Sequence, residues 1–393
     1  MSNRLTAAPP PTLPESGATL TRRSLLAVAA VPAGLALTGC SLGTRPPGQA
    51  GIPGAVAALG GAAPPPADPP LPTGVVQRVA FGSCIDQTKP APLLDAITAR
   101  RPDLMIFGGD TVYASPVPWS ERTLRQAYAT LAARDEFARL RAAVPALAIW
   151  DDHDYGSNDG GAEFAHKEAA KAAFLDFWRL PADDPRRQRP GLYHAVVLGP
   201  VGRRVQVILL DGRSFRSELK KTDQRNAPGK ERYVPDEDRS KTMLGEAQWL
   251  WLEDQLRQPA EVRLLVSGVQ VVAEGHGWES WGNLPRERER LSRLVERTAA
   301  RGVVLLSGDR HLGAIYRQPR VNGYPFYELT SSGITHAFSG AREAGPNRLT
   351  DLVTVENFGS VDIDWAQGWL VLALHDYTGK TVRRQVVQLA ELR

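Results

Sequence analysis

Cysteine is nearly absent from this chain: 393 residues contain two, Cys40 and Cys84. Two thiols exclude a disulfide-stapled scaffold. A large excess of charge of one sign is also lacking. The net charge is +4, and there is no Lys/Arg run with interleaved aromatics, so a nucleic-acid-binding patch is not expected. The apolar run near the N-terminus falls short of the roughly 20 residues that span a bilayer. What is present is ordinary for a soluble globular protein, with 42% hydrophobic and 23% charged residues. The length allows two average domains, or one large α/β domain with a leader.

The N-terminus sets the context for the two thiols. Thr21-Arg22-Arg23-Ser24-Leu25-Leu26 precedes an Ala-rich apolar run that ends in Leu37-Thr38-Gly39-Cys40. Paired arginines before an apolar core predict a twin-arginine signal over residues 1–40, with the twin-arginine export machinery as partner. Leu-Thr-Gly-Cys resembles the lipobox of bacterial lipoproteins. Two readings stand: Cys40 is lipidated and anchors an exported, periplasmic or cell-surface protein, or the signal is cleaved without lipid. Residues 41–73 are dominated by Gly, Ala and Pro and predict a flexible tether. The folded part is expected over residues 74–393. A lipidated Cys40 leaves Cys84 without a disulfide partner, a thiol that needs another role.

From there strands and helices alternate. Strands are expected at 75–81, 104–107, 146–150, 193–198, 204–210, 262–266 and 303–306, and helices at 91–100, 121–141, 162–178, 246–256 and 285–300. Residues 217–242 are charged and lack an apolar pattern, which predicts a surface loop near the site. Consecutive strands follow at 325–329, 352–363, 369–375 and 382–389. Alternation followed by a strand-rich tail argues for two packed sheets with helices outside.

Four of the apolar strands end in polar clusters. Phe81 leads into Gly82-Ser83-Cys84, and Phe107 into Gly108-Gly109-Asp110-Thr111-Val112-Tyr113. Trp150 leads into Asp151-Asp152-His153-Asp154, and Leu306 into Ser307-Gly308-Asp309-Arg310-His311. Ligands of open α/β sheets bind beyond the carboxyl ends of strands, so clusters far apart in sequence can meet there. The Asp151–Asp154 quartet at the end of a buried strand would cost several kcal/mol without compensation. A divalent or trivalent cation supplies it. Asp110 can bridge two cations, and one turn can present both Asp309 and His311. Cys84 as thiolate and Tyr113 as phenolate favour a trivalent or soft metal. Taken singly, Cys84 is also read as a buried apolar filler and Tyr113 as packing; the set and its order carry the metal reading.

This set resembles the PhoD-type alkaline phosphatases, a branch of the calcineurin-like metallophosphoesterases. Gly82-Ser-Cys84, Gly109-Asp110-x-x-Tyr113, Trp150-Asp-Asp-His-Asp154, Leu210-Asp-Gly-Arg213, Ser307-Gly-Asp-x-His311 and Asn357-Phe-Gly359 look like that branch's signature. The resemblance implies an α/β fold, a four-layer α/β/β/α sandwich of two mixed sheets. It also implies two or more metals, with Fe3+ and Ca2+ characteristic and other divalent cations open. The chain departs from the wider superfamily in having Ser83-Cys84 where an Asp-x-His usually opens the site, and Asp151-Asp152-His153 in place of Gly-Asn-His. A later lone histidine has no clear match; Gln270 and His276 stand nearest.

The expected activity is hydrolysis of phosphate monoesters, diesters or both by a metal-bound hydroxide. The metal ligands are Cys84, Asp110, Tyr113, Asp152, Asp309 and His311. Asn158 is read as a further calcium or phosphate ligand, or as an Asx turn. His153, held by Asp154 or another carboxylate, would protonate the leaving group. Arg213 is read either as a bidentate phosphoryl ligand or as a surface salt bridge. Glu274, His276, Trp278 and Trp281 are expected to line the pocket. Alternatives are a phospholipase- or nucleotide-type phosphodiesterase on the same site, or a lipid-anchored phosphate- or metal-binding protein without catalysis.

Overall fold

The computed structural model describes residues 68–319 and 324–393. The expected export signal, Cys40 and nearly all of the tether lie outside the described residues. Parallel strands β1 (Arg78–Gly82), β2 (Leu104–Gly108) and β3 (Ala146–Ile149) alternate with helices α1 (Pro92–Ala99), α2 (Glu121–Ala132) and α3 (Asp135–Ala143). The short α4 (Asp152–Tyr155) and α5 (Lys167–Phe177) follow. A second run contains β4 (His194–Leu198), β5 (Val205–Leu209), α6 (Gly245–Leu256), β6 (Val262–Ser267), α7 (Pro285–Arg297) and β7 (Val303–Ser307). The tail is all strand: β8 (Gly313–Gln318), β9 (Phe326–Ser331), β10 (Asn357–Asp364), β11 (Trp369–Asp376) and β12 (Thr381–Gln388).

These strands form two six-stranded mixed sheets, ordered β12-β11-β10-β1-β2-β3 and β4-β5-β6-β7-β9-β8. In each, parallel strands carry antiparallel neighbours from the tail. The parallel strands β2, β5, β6 and β7 are buried at every residue, as continuous apolar runs require when both sheet faces are covered. The inner faces meet closely: a Cβ at Gly359 of β10 would stand 2.9 Å from Leu329 of β9. Helices cover the outer faces. Phe107 of β2 packs on Phe137 of α3 with ring centroids 5.9 Å apart, and Gln206 of β5 donates to the Gln255 carbonyl of α6 at 2.9 Å. The result is a four-layer α/β/β/α sandwich.

Several element boundaries differ from expectation. The helix expected over 121–141 is two helices, because Arg134 is extended (φ −77°, ψ 129°). Tertiary bonds hold the break: Arg134 Nε donates to the Gln87 carbonyl at 3.0 Å, and Glu136 accepts from Ala91 N–H at 3.0 Å. The helix expected from 162 starts at Lys167, and the strand expected from 352 starts at Asn357. Strand β8 was not foreseen; it takes the sheet edge beside β9. Residues 217–242 form neither helix nor strand. Among the described residues, no helix is long and apolar enough to cross a membrane.

Candidate metal centre

The carboxyl ends of the parallel strands of both sheets converge, and the side chains just past them form the site. Cys84, Asp110, Asp309 and His311 all lie in the left-handed region, with φ of 63°, 48°, 68° and 52°. Such backbone strain costs about 1 kcal/mol or more per residue and collects at functional sites. Glycine makes the close approach of these loops feasible. A Cβ at Gly109 would collide with Asp151, and one at Gly308 would stand 2.5 Å from Ser83 Oγ.

Three overlapping groups of donors result. Ligand atoms of Cys84, Asp110 and His311 lie within 4.8 Å of one another, as do those of Asp110, Asp152 and His153, and those of Asp151, Asp152 and Asp309. Asp110 belongs to two groups and so does Asp152. Asp309 and His311, presented by one turn, fall in different groups. Tyr113 OH is 2.8 Å from His311 Nε2 and 3.4 Å from Asp110 Oδ2, so the phenol borders the thiol-containing group. Ser332 Oγ lies 3.1 Å from Cys84 Sγ and accepts from His311 N–H at 2.8 Å. Asn158 lines the cavity above the donors.

Two expected residues are placed differently. Asp154 has no bond to the His153 ring; its oxygens accept from the backbone N–H groups of Asp151 (2.6 Å) and Thr111 (3.1 Å). The His153 Nδ1 partner is Ser115 Oγ at 3.0 Å. Arg213 is fully buried, so it is not a surface salt bridge; it does not itself line the cavity, and its Nη2 has no partner. Its Nε donates to Asp151 Oδ1 at 2.6 Å and its Nη1 to both oxygens of Glu279 at 2.8 and 2.7 Å. Arg216 adds a second guanidinium to Glu279 at 3.0 Å. Asp211 of the same motif accepts from Trp150 Nε1, Leu192 N–H and Ser214 Oγ, and so braces the loop. In the expected polar-aromatic cluster, only Trp278 lines the cavity; Trp281 is buried against Ser267, and Glu274 pairs with Arg288. His276 bonds Gln270 at 3.1 Å, and neither joins the donor groups.

The electrostatics show what the donors require. Burial drives the Asp110 carboxyl well above the ordinary carboxylate range, and Asp152 and Cys84 beside it add to the rise. Asp309 is raised by burial and by Asp151 and Asp152. Burial lifts Asp151 to about 8 against the pull of Arg213, and Cys84 to about 11. Burial lowers His311 to about 3, which keeps its imidazole neutral and able to act as a ligand. Asp151 Oδ2 and Asp152 Oδ1 are buried with no hydrogen-bond partner. Orphaned oxygens on two carboxylates of one donor group fit a bound cation, which would satisfy both and remove their mutual repulsion.

Above the donors lies a cavity of about 320 Å³ lined by Asp152, His153, Arg232, Trp278, Arg310 and Phe338, among others. Sequence reasoning missed Arg232, Arg310 and Ser332 as site members, and it counted Asp151 in the charged quartet without naming it a ligand. Asp151 and Arg310 sit inside the motifs already singled out; Arg232 and Ser332 carried no local signal.

Solved structures share this architecture. The chain superposes on a structure of PhoD with TM-score 0.63 at 18% identity, covering 81% of this chain and 70% of that one. A purple acid phosphatase from yellow lupin (Lupinus luteus) seeds gives 0.53 at 13% identity, covering 82% and 55%. The fold is that of the metallophosphoesterases. Residues 82–368 match the model of the PhoD-like phosphatases, and the chain belongs to that family. Alkaline phosphatase D of Bacillus subtilis (strain 168) is 25% identical over 243 residues, which is 55% of this chain but 40% of that enzyme's length.

Proposed function

We propose that this protein is a metal-dependent phosphatase that hydrolyses phosphate esters. One observation carries the reading: three donor groups overlap through Asp110 and Asp152 at the base of a cavity that also presents two arginines. Cys84, Asp110 and His311, with Tyr113 beside them, suit a trivalent or soft cation such as Fe3+. Asp151, Asp152 and Asp309 offer oxygen alone and suit a hard cation such as Ca2+. When bound, such cations supply Lewis-acid polarisation of the phosphoryl group and a water acidified toward neutrality.

The remaining work falls to the chain's own side chains. Arg232 and Arg310 line the cavity, and the Nε of each is buried without a partner. Their guanidinium groups orient the phosphoryl oxygens. His153 lines the same cavity with Nδ1 held by Ser115, and it donates a proton to the leaving oxygen. Arg213 acts from behind: its bond fixes one oxygen of Asp151 and leaves the other without a hydrogen-bond partner. Export by the twin-arginine route, and a lipid anchor at Cys40, belong to the same proposal and are supported by Arg22-Arg23 and Leu37-Thr38-Gly39-Cys40 alone.

The test is turnover of para-nitrophenyl phosphate and bis(para-nitrophenyl) phosphate before chelation, after it, and after re-addition of iron and calcium. Activity should vanish and return. Undiminished turnover by protein shown to be metal-free would overturn the reading, and tight phosphate binding without turnover would favour a binding protein.

A further inference from the structure

A second depression, of about 490 Å³, lies beside the phosphoryl cavity, and the two share Trp278 and Phe338 in their walls. Its other walls come from residues 226–231, Gly275 and residues 340–344. Phe338 is 47% exposed. Phe338 and Trp278 give the two cavities a shared aromatic wall, the kind of surface that lines ligand pockets.

The rim is built rather than incidental. Phe338 N–H donates to the His311 carbonyl at 2.6 Å, so the ring is tethered to a strand end that carries a metal donor. Arg232 and Tyr233 N–H both donate to the Gly277 carbonyl, at 2.9 and 2.7 Å, which joins the 217–242 loop to the segment carrying Trp278. A side chain at Gly277 would prevent this, since its Cβ would stand 2.5 Å from Glu231 N.

The charged groups around the depression are already engaged. Glu231 accepts from Gly229 N–H at 3.0 Å and from Gly277 N–H. Glu343 pairs with Arg310. Arg342 donates to the Ser339 and Ala341 carbonyls at 3.2 and 2.8 Å. The rest of the wall is the rings of Trp278 and Phe338 with Pro228, Ala341, Ala344 and glycines, beside the polar Asn226.

We infer that the organic group of the ester lies across Trp278 and Phe338 in this second depression, so that the site selects phosphate esters with a bulky apolar or aromatic substituent. The inference rests on the phosphoesterase reading and gives it a substrate class. The occupant follows from continuity: a phosphoryl group held by Arg232 and Arg310 has its substituent beside the shared aromatic wall. Phe338 and Trp278 are therefore specificity-determining residues.

The experiment compares ethyl phosphate with octyl phosphate on the cation-loaded full chain, read as released phosphate. The two alkoxide leaving groups have similar basicity, so the ratio of kcat/KM reports contact rather than chemistry. Wild type should prefer the octyl ester by about tenfold or more. Phe338→Ala and Trp278→Ala should each shrink that preference severalfold, mainly through KM, and Phe338→Leu should restore part of it. Phe338 is substantially exposed, so its variants should remain folded. Equal kcat/KM for the two esters in wild type, or a preference that neither substitution moves, would overturn the inference while leaving phosphatase activity standing. Failure to hydrolyse either ester by protein that turns over para-nitrophenyl phosphate would overturn the inference alone, and failure on all three would remove the phosphoesterase reading with it.

Discussion

Replacing Asp110 with asparagine should destroy function and, in metal-free protein, raise stability. Asp110 belongs to two of the three donor groups. Losing an outer-sphere partner alone costs about 10–100-fold in metal affinity, so losing a shared ligand should cost at least that at both positions. A fall in kcat/KM of about 10³ or more, roughly 4 kcal/mol, follows. Asparagine keeps the size of the side chain and can still accept the His153 N–H bond that Asp110 Oδ1 receives at 3.1 Å, so the fold should survive.

The stability effect has the opposite sign. The Asp110 carboxyl is raised in the folded state by burial and by Asp152, Cys84, Asp151 and Asp154. A carboxyl with a raised folded-state pKa binds its proton more tightly in the native state than in the unfolded one. Without metal, stability should fall as pH climbs from the unfolded value near 4 toward the folded one, and above that the whole penalty is felt. Asp110→Asn lacks this penalty. Its metal-free form should be more stable than metal-free wild type by about 1–3 kcal/mol, the scale of a buried polar penalty, and the gap should widen from pH 5 to pH 9. Urea titrations in chelator at those two pH values measure it, alongside ester turnover and bound metal. Wild-type turnover, or a metal-free variant weaker than wild type at pH 9, would refute the reasoning.

Cys84→Ser should lose the thiolate donor, its bound ion and any colour associated with it, with most turnover; an unchanged visible spectrum and metal content would remove Cys84 from the ligand set. Arg213→Ala strands Asp151 as a buried carboxylate, leaves Glu279 with Arg216 alone, and should cost about 3–5 kcal/mol in denaturant unfolding, whereas a loss below about 1 kcal/mol would show that the pair is not held by charge. Asp154→Asn gives up one of two bonds from backbone N–H groups and should cost about 1–3 kcal/mol. The folded fraction should keep kcat within about tenfold, because Asp154 holds a loop and not a proton; a collapse of kcat at unchanged stability would return it to proton transfer.

The site was legible where chemistry and local pattern coincide. Gly109-Asp110, Asp151–Asp154 and Asp309-x-His311 each follow an apolar run, and strand ends are where such residues can meet. What stayed hidden depends on partners remote in sequence. Nothing near Arg213 indicates that it will pair with Asp151, 62 positions away, and Glu279, 66 positions away. Arg232 sits in a loop without apolar period, and partners remote in sequence bring it to the cavity: the Gly277 carbonyl, and Asp159, which accepts from the neighbouring Tyr233 hydroxyl at 2.8 Å. The two sheets were foreseen from alternation and the strand-rich tail. The break between α2 and α3 was not, because Leu124, Tyr128 and Leu131 before it and Phe137 and Leu140 after it each keep a helical spacing, and the bonds that impose it come from Gln87 and Ala91.

The donors are divided between the two sheets. Cys84, Asp110, Asp151 and Asp152 follow strands of one, while Asp309 and His311 follow a strand of the other. Neither sheet alone can complete a coordination sphere in the first or third group, so an ion there is a clasp across the seam between the layers. Loading then reports that the halves have closed in register, and stripping the ion should loosen that seam before it melts either sheet.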